Sequence, residues 1–286
     1  MNRFQLFTRP ALAMTFGVAF SMIIGLSACE QETLTLAESS QELVSLEAEM
    51  DATFEDVDEL SLEAMEVCDF SAGRRSIRAI HRLMDSSCVT ITHDTAAKSI
   101  TVDFGTGCTG PHGKTIAGQI LITYNKWLYR PGAVRTVTLD SFYVDGVHVE
   151  GTKTTTNTMT SMLDPISLNT VLTNGQMTWP SGAIATREFD RTKTWIRGLN
   201  PSQDEFHVDG YTETVRQNGD TVRVDITSTL IRKRQCRVSQ GIRIPVEGEK
   251  LIQKTGEDDV LMDFGNGTCD DQVTVTVNGN SQVINL

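Results

Sequence analysis

With 286 residues, a hydrophobic fraction of 39% and a formal net charge of −12, the chain holds enough apolar side chain for one large β domain or two smaller ones. The charge is local: residues 30–69 carry 14 acidic side chains and no Lys or Arg, whereas residues 70–286 carry 23 of each sign. A neutral body without a clustered basic face argues against a nucleic-acid partner.

The first residues read as an address. Arg3 and Arg9 precede an uncharged apolar run over 11–26, and Leu26-Ser27-Ala28-Cys29 follows. This is the layout of an export signal over 1–28. The apolar run is short for a membrane-spanning helix, which needs about 20 apolar residues. The Leu-Ser-Ala-Cys ending resembles the bacterial lipobox. That resemblance implies a lipidated, palmitate-bearing Cys29 as the first mature residue and attachment to a membrane through it. Ordinary secretion with cleavage near Ala28 is the alternative. Glu30-Gln31-Glu32 resembles the acidic surface-export signals of Bacteroidota lipoproteins. Residues 29–40 read as a flexible tether.

Over 41–67 apolar residues recur at Leu43, Leu46, Met50, Phe54, Val57, Leu60 and Ala64, with Glu and Asp on the other face and no Gly or Pro between. Steps of three and four predict an amphipathic helix. A turn ending at Gly73 leads to a short basic helix, with Ile77, Ile80 and Leu83 on one side and Arg74, Arg75, Arg78 and Arg82 on the other. Together they predict a helical stalk or hairpin over 41–86 that docks on the body. The sharper alternative is that the four arginines meet a partner or an anionic surface.

From 87 to 286 the pattern is β, with no helical signal after about residue 86. Strands are expected at 88–93, 99–104, 115–128, 134–144, 147–159, 166–173, 176–179, 184–196, 205–216, 221–233, 237–246, 260–264, 273–277 and 282–284. Asp145-Gly146, Asn174-Gly175, Asn218-Gly219 and Asn278-Gly279 separate several of them as hairpin turns. The Thr-rich run 152–160 reads as an edge or solvent-washed strand. One motif occurs twice: a short apolar strand enters Asp103-Phe-Gly-Thr-Gly-Cys108 and again Asp263-Phe-Gly-Asn-Gly-Thr-Cys269, each with a cysteine closely followed by valine upstream, at Cys88-Val-Thr and Cys236-Arg-Val. In a hairpin of 88–93 with 99–104, Cys88 and Cys108 lie at adjacent strand ends, so a disulfide fits, contributing about 3 kcal/mol on the chain-entropy model. The duplication extends the same reading to Cys236 and Cys269, and leaves Cys68 as a buried free thiol. The expected fold is mainly β: an antiparallel meander, as a twisted sheet or a sandwich with an internal duplication at about 87–163 and 164–286. The acidic amphipathic helix and the short basic helix precede it.

The second half carries Thr178-Trp179-Pro180, Arg191-Thr-Lys-Thr-Trp195-Ile-Arg-Gly198, Ile231-Arg-Lys-Arg-Gln-Cys236 and a terminal Val273-Thr-Val-Thr-Val-Asn-Gly-Asn280. With the paired Asp-Phe-Gly motifs and the lipobox, residues 85–286 resemble uncharacterised β-rich lipoproteins of Bacteroidota. The resemblance implies a β-rich body in an envelope compartment, where disulfides persist. It brings no activity and no catalytic residue.

Other motifs are weaker than they look. The Gly-rich run 105–115 lacks the P-loop glycine, since Cys108 stands at that position, and a strand follows instead of a helix. The five histidines, His81, His93, His112, His148 and His207, form no ligand pair at metal spacing. Glu257, Asp258, Asp259, Asp270 and Asp271 surround the second motif as possible Ca²⁺ ligands, but no known Ca²⁺-loop spacing is present, and Asp103 and Asp263 read as caps of their own glycine turns. Trp127, Tyr129, Trp179 and Trp195 are candidates for a carbohydrate-stacking platform, the three tryptophans as its ligand-binding residues, against the plainer reading of sheet packing. No cofactor, metal or catalytic set is expected.

The expectation is thus a non-enzymatic binding or structural lipoprotein of the cell envelope, anchored to the outer membrane on its periplasmic or surface face. Its partner would be another envelope protein or an extracellular polymer. A carbohydrate-binding lipoprotein of a glycan-uptake system is the alternative, and an extracytoplasmic hydrolase the second alternative.

Overall fold

The computed structural model describes residues 38–69, 88–110 and 113–286. The signal, Cys29 and the basic helix with its four arginines lie outside them. Helix α1 (Glu38–Cys68) runs 31 residues, and so takes in the last three residues of the expected tether. Its apolar stripe is the one the periodicity marks: Leu43, Met50, Phe54, Val57, Leu60 and Ala64 are each no more than 3% exposed.

Fourteen strands follow: β1 (Thr90–Asp94), β2 (Ser99–Asp103), β3 (Cys108–Thr109), β4 (Thr115–Tyr124), β5 (Val134–Val144), β6 (Val147–Asn157), β7 (Ile166–Thr178), β8 (Ile184–Ile196), β9 (Glu205–Arg216), β10 (Thr221–Lys233), β11 (Glu247–Lys254), β12 (Val260–Asn266), β13 (Gln272–Val277) and β14 (Asn280–Asn285). They form a single antiparallel sheet in chain order, with the short β3 pairing beside β4. The meander therefore closes as one sheet and not as a sandwich. Asp145-Gly146 and Asn278-Gly279 make the two-residue turns expected of them, each residue at positive φ.

Four expectations give way. Asn174-Gly175 is no hairpin turn but a bulge inside the continuous β7, where the register shifts between Leu172 and Gly175. The same dipeptide serves both purposes because both need a left-handed residue. Residues 237–246 hold no strand; α2 (Arg234–Gln240) is a helix ended by Gly241 at φ 75°, with Cys236 its one buried residue. The stretch Glu247-Gly-Glu-Lys-Leu-Ile-Gln-Lys254, where no strand is expected, is β11, with Gly248, Lys250 and Ile252 turned inward. The Thr-rich run is no edge: β6 sits between β5 and β7, and Lys153, Thr155 and Asn157 are buried.

The sheet is bent by a succession of bulges. Register shifts fall at Ala117/Gln119, Thr138/Phe142, Glu150/Thr152, Leu172/Gly175 and Ser228/Ile231. Glycine is required where strands crowd there: a Cβ on Gly118 would meet the Ser141 carbonyl oxygen at 1.9 Å. Each bulge bends its strand and increases local twist. The result is measurable at one carboxylate. Asp56 of α1 binds Lys114, just before β4, at 2.8 Å and Arg243, after α2, at 2.6 Å. Across a flat sheet those residues would be roughly 30 Å apart at about 4.8 Å per strand. The sheet therefore curls around the helix. Its core has two clusters, one between α1 and the sheet from β2 to β8, the other among β9 to β13 with Leu43 and Val44.

Disulfides join Cys88 to Cys108 and Cys236 to Cys269, with Cα separations of 5.8 and 5.1 Å, and Cys68 is a buried free thiol. Beside them Asp103 and Asp263 each accept the N–H of the glycine two residues on, at 2.8 Å. The two turns share that contact, but an internal duplication of the fold is not shown. The surrounding elements differ, since Cys88 precedes a strand and Cys236 lies in α2.

Candidate functional site

The acidic face of α1 meets a basic inner face of the curled sheet. Arg187, fully buried on β8, binds Glu47 at 2.8 Å and also Asp51. Lys250 of β11 reaches Glu47 at 3.2 Å and Asp51 at 2.5 Å, and Arg191 adds a third cation to Asp51 at 2.8 Å. One turn on, Glu55 holds Lys193 at 2.8 Å and Arg232 at 3.2 Å. Asp58 holds Arg135 at 3.1 Å and Lys153 at 2.7 Å, and Glu59 holds Arg237 and, at 3.6 Å, Arg243.

Burial alone pushes a carboxyl's proton affinity up. At Asp51 the cations Arg191, Lys250 and Arg187 outweigh it and hold the group well below its ordinary range. Lys193 and Arg232 do the same for Glu55. On the cationic side, burial lowers the proton affinity of Arg135 and Lys153, with Asp58 opposing it in both. Asp51 and Glu55 are thus held ionised, each opposite its cations.

Between the same helix face and the sheet lies a cleft of about 570 Å³. Its walls come from β7, β8, β9, β10, β12, α2 and the segment after α2. Ile166, Leu168, Ile244, Met262 and Phe264 make it apolar along part of its surface, and Tyr129, Trp195 and Phe206 add an aromatic wall. Its volume is in the range of small-molecule pockets.

At Glu63 the pairing stops. The residue is 5% exposed, lines the cleft, and both carboxylate oxygens are buried without a hydrogen-bond partner among the described residues. Burial, then the neighbouring Glu66 and Glu59, push it up to about 7. Burial also raises Glu66. Tyr129 is pushed up to about 12 by burial and by Glu66. The Trp195 Nε1–H is a buried donor that likewise finds no acceptor. The other buried unpartnered atoms are single guanidinium Nε groups, on Arg135, Arg187, Arg191 and Arg232, each on a side chain whose remaining nitrogens are bonded or ion-paired. Glu63 differs in that its whole charged group is unanswered.

The three tryptophans do not form a row. Trp127 stacks on Tyr124 with centroids 5.0 Å apart and packs against the main core. Trp179 packs there too and donates to Glu49 at 2.9 Å. Trp179 adjoins the start of β8 and Trp195 lies near its end, roughly 36 Å away along an extended strand. Only Trp195 borders the cleft, and its ring is already engaged: Tyr129 and Phe206 flank it at 6.0 Å and the Arg197 guanidinium lies over it at 5.0 Å.

Four of the five carboxylates suggested for Ca²⁺ are bonded to protein donors: Glu257 to Lys254, Asp258 to Asn278, Asp259 to Gln253 and Asp270 to the Gln272 N–H. Sequence reasoning missed Glu63, Glu66 and Phe206; Tyr129, a candidate for the aromatic platform, does line the cleft. The helical pattern places Glu63 at the margin of the apolar stripe. What it lacks is any sign of where the opposing basic residues end.

Comparison of the chain with protein-family models, with curated proteins and with solved structures gives no match.

Proposed function

We propose that the protein is an exported binding protein, held at the envelope membrane by a lipid on Cys29, whose cleft beside α1 takes a small ligand with a polar head and an apolar body. The observation that carries this reading is the buried, unpartnered Glu63 carboxylate in a largely apolar cleft. An isolated carboxylate costs several kcal/mol to bury, and a fold with many Arg and Lys on the same inner face has left it unanswered. The export signal, the Leu-Ser-Ala-Cys ending and the resemblance to Bacteroidota lipoproteins support the location. The hydrolase alternative has less support because the acidic residues of the cleft from Glu47 to Glu59 are held in ion pairs. The glycan-platform alternative has less because the Trp195 ring is already covered by Arg197 and flanked by Phe206.

Native mass spectrometry of the protein released gently from its own membranes tests the reading. The expected result is a lipidated polypeptide with an additional non-covalent mass, and loss of the lipid in Cys29→Ser. A lipidated chain that carries nothing, from cells grown under several conditions, would count against the cleft as a ligand site.

A further inference from the structure

We propose that the cleft selects a cationic amphiphile: an ammonium head seated against the Glu63 carboxylate, with the apolar body lying on the wall of Ile166, Leu168 and Trp195. This rests on the reading of the cleft as a ligand site and names the chemistry it takes.

Between Glu47 and Glu59 the buried carboxylates facing the sheet each have a Lys or Arg nitrogen within 4 Å. Glu63 is as buried as they are and lies one turn on from Glu59, yet neither of its oxygens has a partner. Glu66, exposed at the mouth of the cleft, adds a second negative charge on its neighbour's side. The charged and titratable groups that line this cleft from other elements are Tyr129 before β5, Lys193 of β8, Arg232 and Lys233 at the end of β10, Arg234 and Arg237 of α2, Arg243 after it and Lys250 of β11; Lys193 and Arg232 are held by Glu55, Arg243 by Asp56, and Lys250 by Glu47 and Asp51. Lys233 is committed to the Gly267 carbonyl, Arg234 to Asp204 and Arg237 to Glu59. Among the described residues one buried anion remains unmet at this end, and a ligand cation meets it.

The alternatives fail on sign. A carboxylate or phosphate head would face Glu63, Glu66 and Glu59 together. An alcohol would donate one hydrogen bond and leave the charge uncompensated. An ammonium donates and neutralises, and the ring of Tyr129 in the same cleft favours a cation further through its π face. Burial and the neighbouring acids hold Glu63 at a proton affinity near neutrality, so an arriving ammonium replaces a proton there. Binding should tighten as pH rises from 6 to 8.

One chemistry has two sources here. The cation can come from a free ligand, or from the chain's own basic run with Arg74, Arg75, Arg78 and Arg82. The test is calorimetric titration of the full chain in lipid nanodiscs, against empty nanodiscs, with hexylammonium, hexanol and hexanoate, which share one apolar body. Expected are at least tenfold tighter binding of hexylammonium than of hexanol, no measurable hexanoate binding, and loss of the ammonium preference in E63Q with hexanol binding retained. E66Q, at an exposed position, should weaken hexylammonium by a smaller factor and guards against a folding defect in E63Q. Equal affinity for hexanol and hexylammonium, or a preference that survives E63Q, overturns the selectivity while leaving the cleft a ligand site. No binding of any of the three overturns both. If hexylammonium binds only after the four arginines become Gln, the chain supplies its own cation and the proposal falls.

Discussion

Two stretches of one helix face invite comparison. From Glu47 to Glu59 every turn of α1 sets carboxylates against guanidinium or ammonium groups from β5, β6, β8, β10 and β11. At Glu63 and Glu66 the same residue type, on the same helix, faces an aromatic and apolar wall. The difference shows what fixes the behaviour of a buried acid: the element standing opposite and not the residue or its helix. In the first stretch cations hold Asp51 and Glu55 ionised far into acid. In the second, burial and like charge bring Glu63 up to about 7. Buried ion pairs are weak evidence of net stabilisation, yet removing one member is costly. Here they fix where the helix sits in the curled sheet, since Asp56 alone ties down two distant segments.

The largest expected effect breaks the paired stretch. Arg187→Ala removes a fully buried guanidinium and leaves Glu47 and Asp51 with fewer cations, so urea unfolding should show a loss of about 3–5 kcal/mol. A loss under about 1 kcal/mol would mean that the pairs do not hold the helix. Next come the staples beside the repeated Asp-Phe-Gly turns. Cys88→Ser and Cys108→Ser should each cost about 3 kcal/mol, and the double variant should cost no more than either alone, because both remove the same bond. Additive losses would contradict that pairing. Smaller still, hexylammonium should raise the thermal midpoint of the native chain and leave that of E63Q unchanged, as ligand linkage requires. An equal rise in both would place the ligand elsewhere.

Much of this fold is legible in the sequence because its signals are local. The stripe from Leu43 to Ala64 shows the buried face of α1, and Asp145-Gly146 and Asn278-Gly279 place two hairpins. The pairing of Cys88 with Cys108 follows from the hairpin that brings strand ends together. What is illegible depends on partners far away in the chain. Lys153, Thr155 and Asn157 read as a washed edge because a polar inner face makes sense only opposite an acidic helix, where Lys153 bonds the Phe54 carbonyl at 2.8 Å. α2 escapes notice because seven residues with one buried side chain carry no period. Asn174-Gly175 serves a bulge as well as it would serve a turn. Glu63 is the extreme case, since its character comes from a cation that the opposite wall does not provide.

The most direct measurement is urea unfolding of E47Q and E63Q, the same change made at both ends of one helix face. Glu47 is 4% exposed and bonds Arg187 and Lys250, so losing its charge should cost about 2 kcal/mol at pH 8. Glu63 has a raised folded-state value, about 7, so the native state holds its proton more tightly than the unfolded chain does. That advantage is full below the ordinary Glu range and lost as pH rises through 7, where the ionised group is a liability. E63Q should therefore be more stable than the native chain by about 1–2 kcal/mol at pH 8, with the gain fading towards pH 4. Opposite signs at pH 8 are the result this account predicts. Destabilisation by both substitutions would mean that Glu63 is paired after all, and would contradict it.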